Sequence, residues 1–313
     1  MRIRDLRAGD APRVLEMLLT QFPEEEAILG TRPEGFARVI DRVFRWDSRL
    51  VLAVLRGFGR PVFRFFVAEE TGTVAGTTLL TFTGRAGYVS MVVVDPAYRR
   101  RGLARALLEE ARRATRARGQ PYLALDVLDA NHPARALYES IGYRPLRSAA
   151  FLVHDRPSTI SPDPAALHGI RPFVREDARA LAEVVRRDRP REVEEVLPTT
   201  PREIAGSAWA SRLLESEQAA WVVDPGTGPV AWVGASVPRA TEAGNLQAPI
   251  VASSVAPEVA RALVEVAGAW CAARRVPRIA VSVTAENLRG RAAVDAAGFR
   301  HALSLWTLYR PTA

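Results

Sequence analysis

Two periodicities interleave along the chain. "RIRDL" near the start alternates polar and apolar residues and predicts a short strand over 1–6. Apolar residues at helical spacing then predict a helix at about 10–20 and a second at about 33–46. "PVFRFFVAEE", "TVAGTTLLTFT" and "GYVSMVVVD" are apolar or β-branched runs separated by Gly- and Thr-bearing turns, the pattern of a meander of strands. In "LARALLEEARRATRARG", Leu103, Leu107, Ala111 and Ala114 fall on one helical face, and Gly119 stands where a C-cap belongs. "YLALDVL" predicts another strand, "HPARALYESIG" a short helix ending at Gly142, and "PLRSAAFLVHD" a last strand. Helices mixed with a largely antiparallel meander predict an α/β protein built on a mixed sheet.

The pattern then repeats. "IRDLRAGDAPRVLEML" (3–18) is similar to "IRPFVREDARALAEVV" (170–185). "ALDVLDANHPARALYESIGYRP" (124–145) aligns without gaps on "AVSVTAENLRGRAAVDAAGFRH" (280–301), with seven of 22 pairs identical, among them Asn131 with Asn287 and Gly142 with Gly298. Self-similarity in the same order within each half predicts duplicated domains. "RPSTISPDPAALHG", rich in Pro, Ser and Asp, reads as the linker. The expected division is 1–155, a linker at 156–168, and 169–313.

Composition narrows the classes. The 313 residues are 48% hydrophobic and 25% charged, as in a globular protein. No apolar run approaches the roughly 20 residues of a membrane span, and "MRIRDLRAGD" lacks the apolar stretch of a signal peptide. With one cysteine, Cys271, no intrachain disulfide forms; a cytoplasmic protein is expected. Four scattered histidines offer no metal-ligand spacing, so no metal is expected. The net charge of +8 comes with 43 basic residues that are all arginine, a bias of coding rather than a binding motif. No zinc finger, basic zipper or aromatic RNA motif accompanies it, so no specific nucleic-acid partner is expected.

"DPAYRRRGLARALLEE" (95–110) places three arginines and a glycine where a strand gives way to a helix. The first N–H groups of a helix have no intrahelical partner, and the helix dipole adds positive charge there, so such a junction can bind an anion. Gly102 and Ala104 let a phosphate approach the backbone. The arginines add charge-assisted hydrogen bonds. A solvated basic loop is the plainer alternative. Two rival phosphate motifs fail: "RGFGRPV" has Gly57 and Gly59 but no third glycine, and a P-loop cannot exist without lysine.

"VVVDPAYRRRGLARALL" followed by "LDVLDANHPARALYESIGY" resembles the GNAT superfamily of acyl-CoA N-acyltransferases, over most of 1–155 and more weakly over 169–313. The family's Arg/Gln-x-x-Gly-x-Gly/Ala loop is here Arg99-Arg100-Arg101-Gly102-Leu103-Ala104, with Asn131 after the next strand and Tyr138 on the following helix. The resemblance implies two tandem domains, each with central strands that splay apart. It implies acetyl-CoA as acyl donor, held by Val92, Val93, Val94, Arg99, Arg100, Arg101, Gly102, Leu103, Ala104, Arg105 and Asn131. The acceptor is expected to be a small-molecule or peptide amine, and the assembly a monomer or homodimer.

Direct attack by an amine needs a neutral nitrogen and a protonated leaving thiolate. Near neutral pH only about one alkyl ammonium in a thousand is free, so a base or water chain helps. The resemblance makes Tyr138 the acid. Many relatives place a glutamate five residues before the Asp-Pro turn; here that position is Ser90, which can order a water but cannot accept a proton at neutral pH. Glu24, Glu25 and Glu26 could supply a carboxylate, as could Asp126; each is also an ordinary turn or strand-end residue. Carried back at an offset of 156, the second half has Val255 for Arg99, Glu258 for Gly102, Ala260 for Ala104 and Val294 for Tyr138. A glutamate beside a pyrophosphate is repulsive, so the second half is expected to be a degenerate copy, retained for packing or to build the acceptor pocket. A non-catalytic acyl-CoA-binding or regulatory module is the alternative reading of the whole chain.

Overall fold

The computed structural model describes residues 1–21, 63–206, 216–239 and 243–313. The expected helix at 33–46, the Glu24–Glu26 carboxylates and Gly57–Gly59 lie outside the described residues. The first half runs β1 (Arg2–Asp5), α1 (Ala11–Gln21), β2 (Phe63–Glu70), β3 (Thr73–Thr83), β4 (Ala86–Val94), α2 (Leu103–Ala117), β5 (Tyr122–Leu128), α3 (His132–Ser140) and β6 (Arg144–His154). Residues between the halves form two short 3₁₀ turns, Pro157–Thr159 and Pro164–Leu167. The second half runs β7 (Ile170–Pro172), α4 (Ala178–Asp188), α5 (Arg191–Val196), α6 (Pro201–Ala205), β8 (Ser216–Val223), β9 (Ala231–Pro238), β10 (Ala243–Leu246), β11 (Ile250–Val251), α7 (Pro257–Ala272), β12 (Arg278–Thr284), α8 (Leu288–Ala296) and β13 (Arg300–Pro311).

The sheets of the two halves are continuous. Among the described residues thirteen strands join, in the order β1-β2-β3-β4-β5-β13-β6-β12-β10-β9-β8-β7, with β11 on β9. The sheet is mixed: β4 with β5 and β10 with β12 are parallel, and the other pairs are antiparallel. The last strand of each repeat has crossed to the other half. β13 lies between β5 and β6, pairing Leu305–Pro311 with Leu128–Tyr122, and β6 pairs Ala149–His154 with Thr284–Ile279. The predicted strand over 145–155 therefore exists, but its neighbours belong to the second repeat. Local periodicity reports that a segment is a strand and is blind to which edge it joins.

Two layers of helices cover the sheet. α2 seats Leu103, Leu107, Leu108 and Ala111 against Phe66, Leu80, Val89, Leu123, Leu125 and Leu308. Gly87 permits this approach, since a Cβ there would collide with Thr115 of α2. On the opposite face, α1 packs Val14, Met17 and Leu18 on Val67, Val74 and Val93. A third core, around Leu263, Val264, Ile279 and Val281, belongs to the second half and includes Leu152 of the crossed strand β6.

The crossing is bonded beyond the ladder. Thr312 donates its N–H to Pro121 O and its hydroxyl to Gln120 O, and Arg112 of α2 reaches Thr312 O at 2.7 Å. A fragment of residues 1–155 would strip β5 of β13, β6 of both its neighbours and the α2 core of Leu308. Such a fragment should be unfolded by circular dichroism and degraded by limited proteolysis, whereas the full chain is resistant. In the full chain, Leu308→Ala should lower stability by about 2–5 kcal/mol in urea unfolding, because Leu308 is fully buried.

Candidate functional site

The site begins where β4 and β5 part. They pair in parallel only from Ala86↔Tyr122 to Val89↔Leu125. Beyond Val89 the ladder with β3 slips, Thr77 opposing Val93 while Leu79 opposes Ser90, and Met91 at the slip has φ +54°. An extra residue in one strand reverses its inward–outward alternation. Val89 faces the α2 core, and after the bulge Val92 and Val94 face it while Val93 turns to α1. A positive φ at a side-chain-bearing residue is costly and is kept where the surroundings impose it. Here Thr78 of β3 holds the bulge, its hydroxyl donating to Ser90 O at 3.1 Å.

A pocket of about 600 Å³ opens at this divergence. It is lined by Val92, Val93 and Val94, by Arg99, Arg100, Gly102, Leu103, Ala104 and Arg105, and by Asn131 and Tyr138. Asp95 anchors the loop between, its carboxylate accepting from Ala97 N–H at 2.8 Å and from Arg13 of α1. Gly102 is the N-cap of α2 with φ +83°, and no side chain caps the helix. The first-turn amides Leu103–Arg105 therefore open on the pocket without intrahelical partners. Arg105 reaches across to Ser140 Oγ at 3.1 Å, tying the start of α2 to the end of α3.

Two of the predicted site residues do not line this pocket. Arg101 turns away, stacking over Tyr98 and reaching Ala97 O and Glu70. Ser90 lies at the base of the bulge on the opposite face of the sheet, since its neighbour Val89 faces α2. Tyr98, Pro133, Ala134, Leu137 and Ser140 line the pocket without having been predicted. The first-turn positions of α3 carry a signal, because they follow Asn131 directly. Tyr98 carries none.

Asn131 caps α3, its Oδ1 accepting from Ala134 N–H at 3.2 Å. Tyr138 is 6% exposed and packs against Tyr143 with ring centroids 5.8 Å apart. Burial pushes its phenol up to about 12, so it stays protonated across the neutral range.

The repeat supplies an internal comparison. In the second half, α7 starts two residues early relative to α2, at Pro257, and puts Glu258 in its first turn. Asn287 caps α8 as Asn131 caps α3, but its amide also donates to Pro249 O at 2.8 Å. Gly290 lies so close that a Cβ would stand 2.5 Å from that carbonyl. The cleft between β11 and α8 is thus closed by a hydrogen bond, and Val294, fully buried, replaces Tyr138.

The Acetyltransferase (GNAT) family profile matches residues 14–143. The chain carries a domain of the GNAT family. Solved structures extend the likeness of fold to the whole chain. A tandem GNAT protein of the clavulanic acid biosynthesis pathway is 16% identical with a TM-score of 0.63, covering 100% of this chain and 98% of its own. A GCN5-related N-acetyltransferase of Sphaerobacter thermophilus is 20% identical with a TM-score of 0.63, over 99% and 95%. A putative acetyltransferase of Pyrococcus horikoshii is 14% identical with a TM-score of 0.61, over 99% and 89%. The expected tandem GNAT architecture is therefore the fold of this protein. Among the described residues no helix is long and apolar enough to cross a membrane, and none of the His, Cys, Asp and Glu residues group as a metal site.

Gly102 offers a clean test of the loop. A Cβ there meets nothing within 4 Å, so any cost of Gly102→Ala is conformational. Holding alanine in the left-handed region should cost about 1–2 kcal/mol, read as a lower urea midpoint with an unchanged slope.

Proposed function

We propose that this protein is an N-acetyltransferase that moves an acetyl group from acetyl-CoA to an amine acceptor, with its working site in the first half. The observation that carries the reading is the contrast between the halves. One copy opens unpaired helix amides, arginines and a protonated phenol onto a single pocket, and the other closes the same cleft with Asn287 and Pro249. The set fits the acyl donor. The amides of Leu103, Ala104 and Arg105, with Arg99 and Arg100, suit a pyrophosphate. Val92, Val93 and Val94 present a strand edge without a β5 partner to the pantetheine amides. Asn131, whose counterpart's amide is consumed by Pro249 O, borders the same channel.

Tyr138 is the residue on the thiol side. A phenol near 12 and a thiol near 8.5 differ by about 3.5 units, so complete proton transfer from Tyr138 to sulfur is uphill by roughly 5 kcal/mol. Its contribution is a hydrogen bond that strengthens as negative charge builds on sulfur; the proton comes in net from the attacking nitrogen, which becomes strongly acidic as it bonds to carbon. Ser90, on the other face, is assigned to ordering water on the amine side.

Calorimetry should find one acetyl-CoA site per chain, and Gly102→Glu should abolish it. Tyr138→Phe should bind acetyl-CoA as before and lose about 10²–10³-fold in kcat, the cost of one hydrogen-bond donor to developing charge. Because the phenol is raised, the pH profiles of wild type and Tyr138→Phe should have the same shape below pH ~10. Two sites per chain would refute the closed second cleft. Binding without turnover across primary amines would favour an acyl-CoA-binding regulatory module instead.

A further inference from the structure

The face of the sheet opposite the pocket carries a carboxylate, Asp126, that makes no ion pair among the described residues. Asp126 is the first residue of β5 beyond its last pairing with β4, so one flank opens on the divergence and the other is covered by β13. Leu125 and Val127 point into the α2 core, which turns Asp126 to the far side. It lies within a central strand and is nevertheless exposed to solvent. Thr307, directly opposite on β13 and 2% exposed, donates its hydroxyl to Asp126 Oδ1 at 2.7 Å. Tyr88 of β4 sits against the same carboxylate and Thr307, and burial together with the Asp126 charge pushes its phenol well above the ordinary range. Two neutral hydroxyls thus fix the carboxylate and leave its charge unspent. Arg147, in the same row on β6, faces Glu286 at 3.6 Å. Among the described residues Asp126 has no ion pair.

The internal repeat separates function from architecture here too. The pair Asp126–Thr307 maps at the same offset onto Ser282–Phe151, which occupy the matching register between β12 and β6. The strand crossing does not itself require a carboxylate at this place.

We propose that Asp126 receives the cationic nitrogen of the acceptor at the open end of the divergence, with Thr307, delivered by the last strand of the chain, as its positioning residue. The inference rests on the acetyltransferase reading above and adds that the acceptor is a cationic primary amine. In the net reaction R–NH₃⁺ and acetyl-S-CoA give R–NH–acetyl, HS-CoA and H⁺. The C–S bond breaks as the N–C bond forms. Of the two protons the nitrogen loses, one ends on sulfur and one in solvent. Asp126 holds the ammonium where the second proton can leave to solvent, while Tyr138 stands on the sulfur side.

The test is acetyl-CoA turnover, read as thiol release, with spermidine, tyramine and glycinamide at up to tens of millimolar. Loss of a charge-assisted contact predicts an acceptor KM about 10- to 100-fold higher in Asp126→Asn, with the acetyl-CoA Kd unchanged by calorimetry. Thr307→Val should raise KM in the same direction, and Thr307→Ser should restore it, which a packing role alone would not do. The charged and titratable groups facing Asp126 are Tyr88, Arg147 and Glu286, with Arg189 and Glu203 beyond Arg147. All of these remain in the variant, so its deficit should shrink above pH ~10, where the amine is neutral. An unchanged acceptor KM in Asp126→Asn, or no turnover of any of the three amines by a wild type that binds acetyl-CoA, overturns the inference and leaves donor binding intact. Failure of the wild type to bind acetyl-CoA overturns both readings.

Discussion

The structure depends on the insertion of β13 between β5 and β6. A strand can leave its neighbour only if its other edge is satisfied, because unpaired backbone groups inside a sheet are costly. β5 abandons β4 after Leu125, and it can do so because β13 pairs its opposite edge over all seven residues from Tyr122 to Leu128. The cleft is therefore held open by the far end of the chain. The same strand completes the first core with Leu308 and sets Thr307 beside Asp126. Packing, cleft and hydrogen bonding thus rest on one segment that is nearly two hundred residues from β5 in sequence.

Much of this was legible in the amino-acid sequence, for an identifiable reason. The strands of the meander, the amphipathic helix α2 and the cap at Asn131 are written in spacings shorter than a helical turn or two. The Arg99–Ala104 loop could be read because helix-terminus chemistry is local: a left-handed glycine, an uncapped first turn and small side chains all occur within six residues. The crossing of β6 and β13 was not legible. Both repeats encode a strand at the same offset, and swapping two strands of similar apolar pattern changes partners without changing periodicity. The bulge at Met91 was also silent, since neither its composition nor its neighbours depart from an ordinary β-branched run. Thr307 is the extreme case, a residue whose role exists only through a contact across 181 positions.

Duplication explains why the two halves can diverge so far in chemistry while sharing one sheet. The crossed strands bind each repeat to the other, so the second cannot be lost without unfolding the first. Its own cleft is free of that constraint. The helix that begins early at Pro257, the Asn287–Pro249 hydrogen bond and the buried Val294 are each consistent with packing alone. α5 of the second half meanwhile reaches over the first, where Tyr309 and Tyr122 donate to Glu192 and Glu195. What has been kept is the scaffold that closes the sheet and walls its far face.

The two faces of the divergence then have distinct electrostatics, and that difference gives the site a direction. On the α2 face, helix amides and arginines surround the pocket with positive potential, which favours a polyanionic donor. On the other, Asp126 keeps an exposed negative charge that two hydroxyls orient without cancelling. On the proposed reading, a cation approaching from one side and an anion from the other would meet where Val89 and Leu125 are the last residues to pair. Neither group has to cross the sheet, because the missing ladder beyond that pair is itself the passage. On the acetyltransferase reading proposed above, an acyl group on the donor and a nitrogen on the acceptor would meet at the point where β4 and β5 part and the backbone leaves room for a bond to form between them.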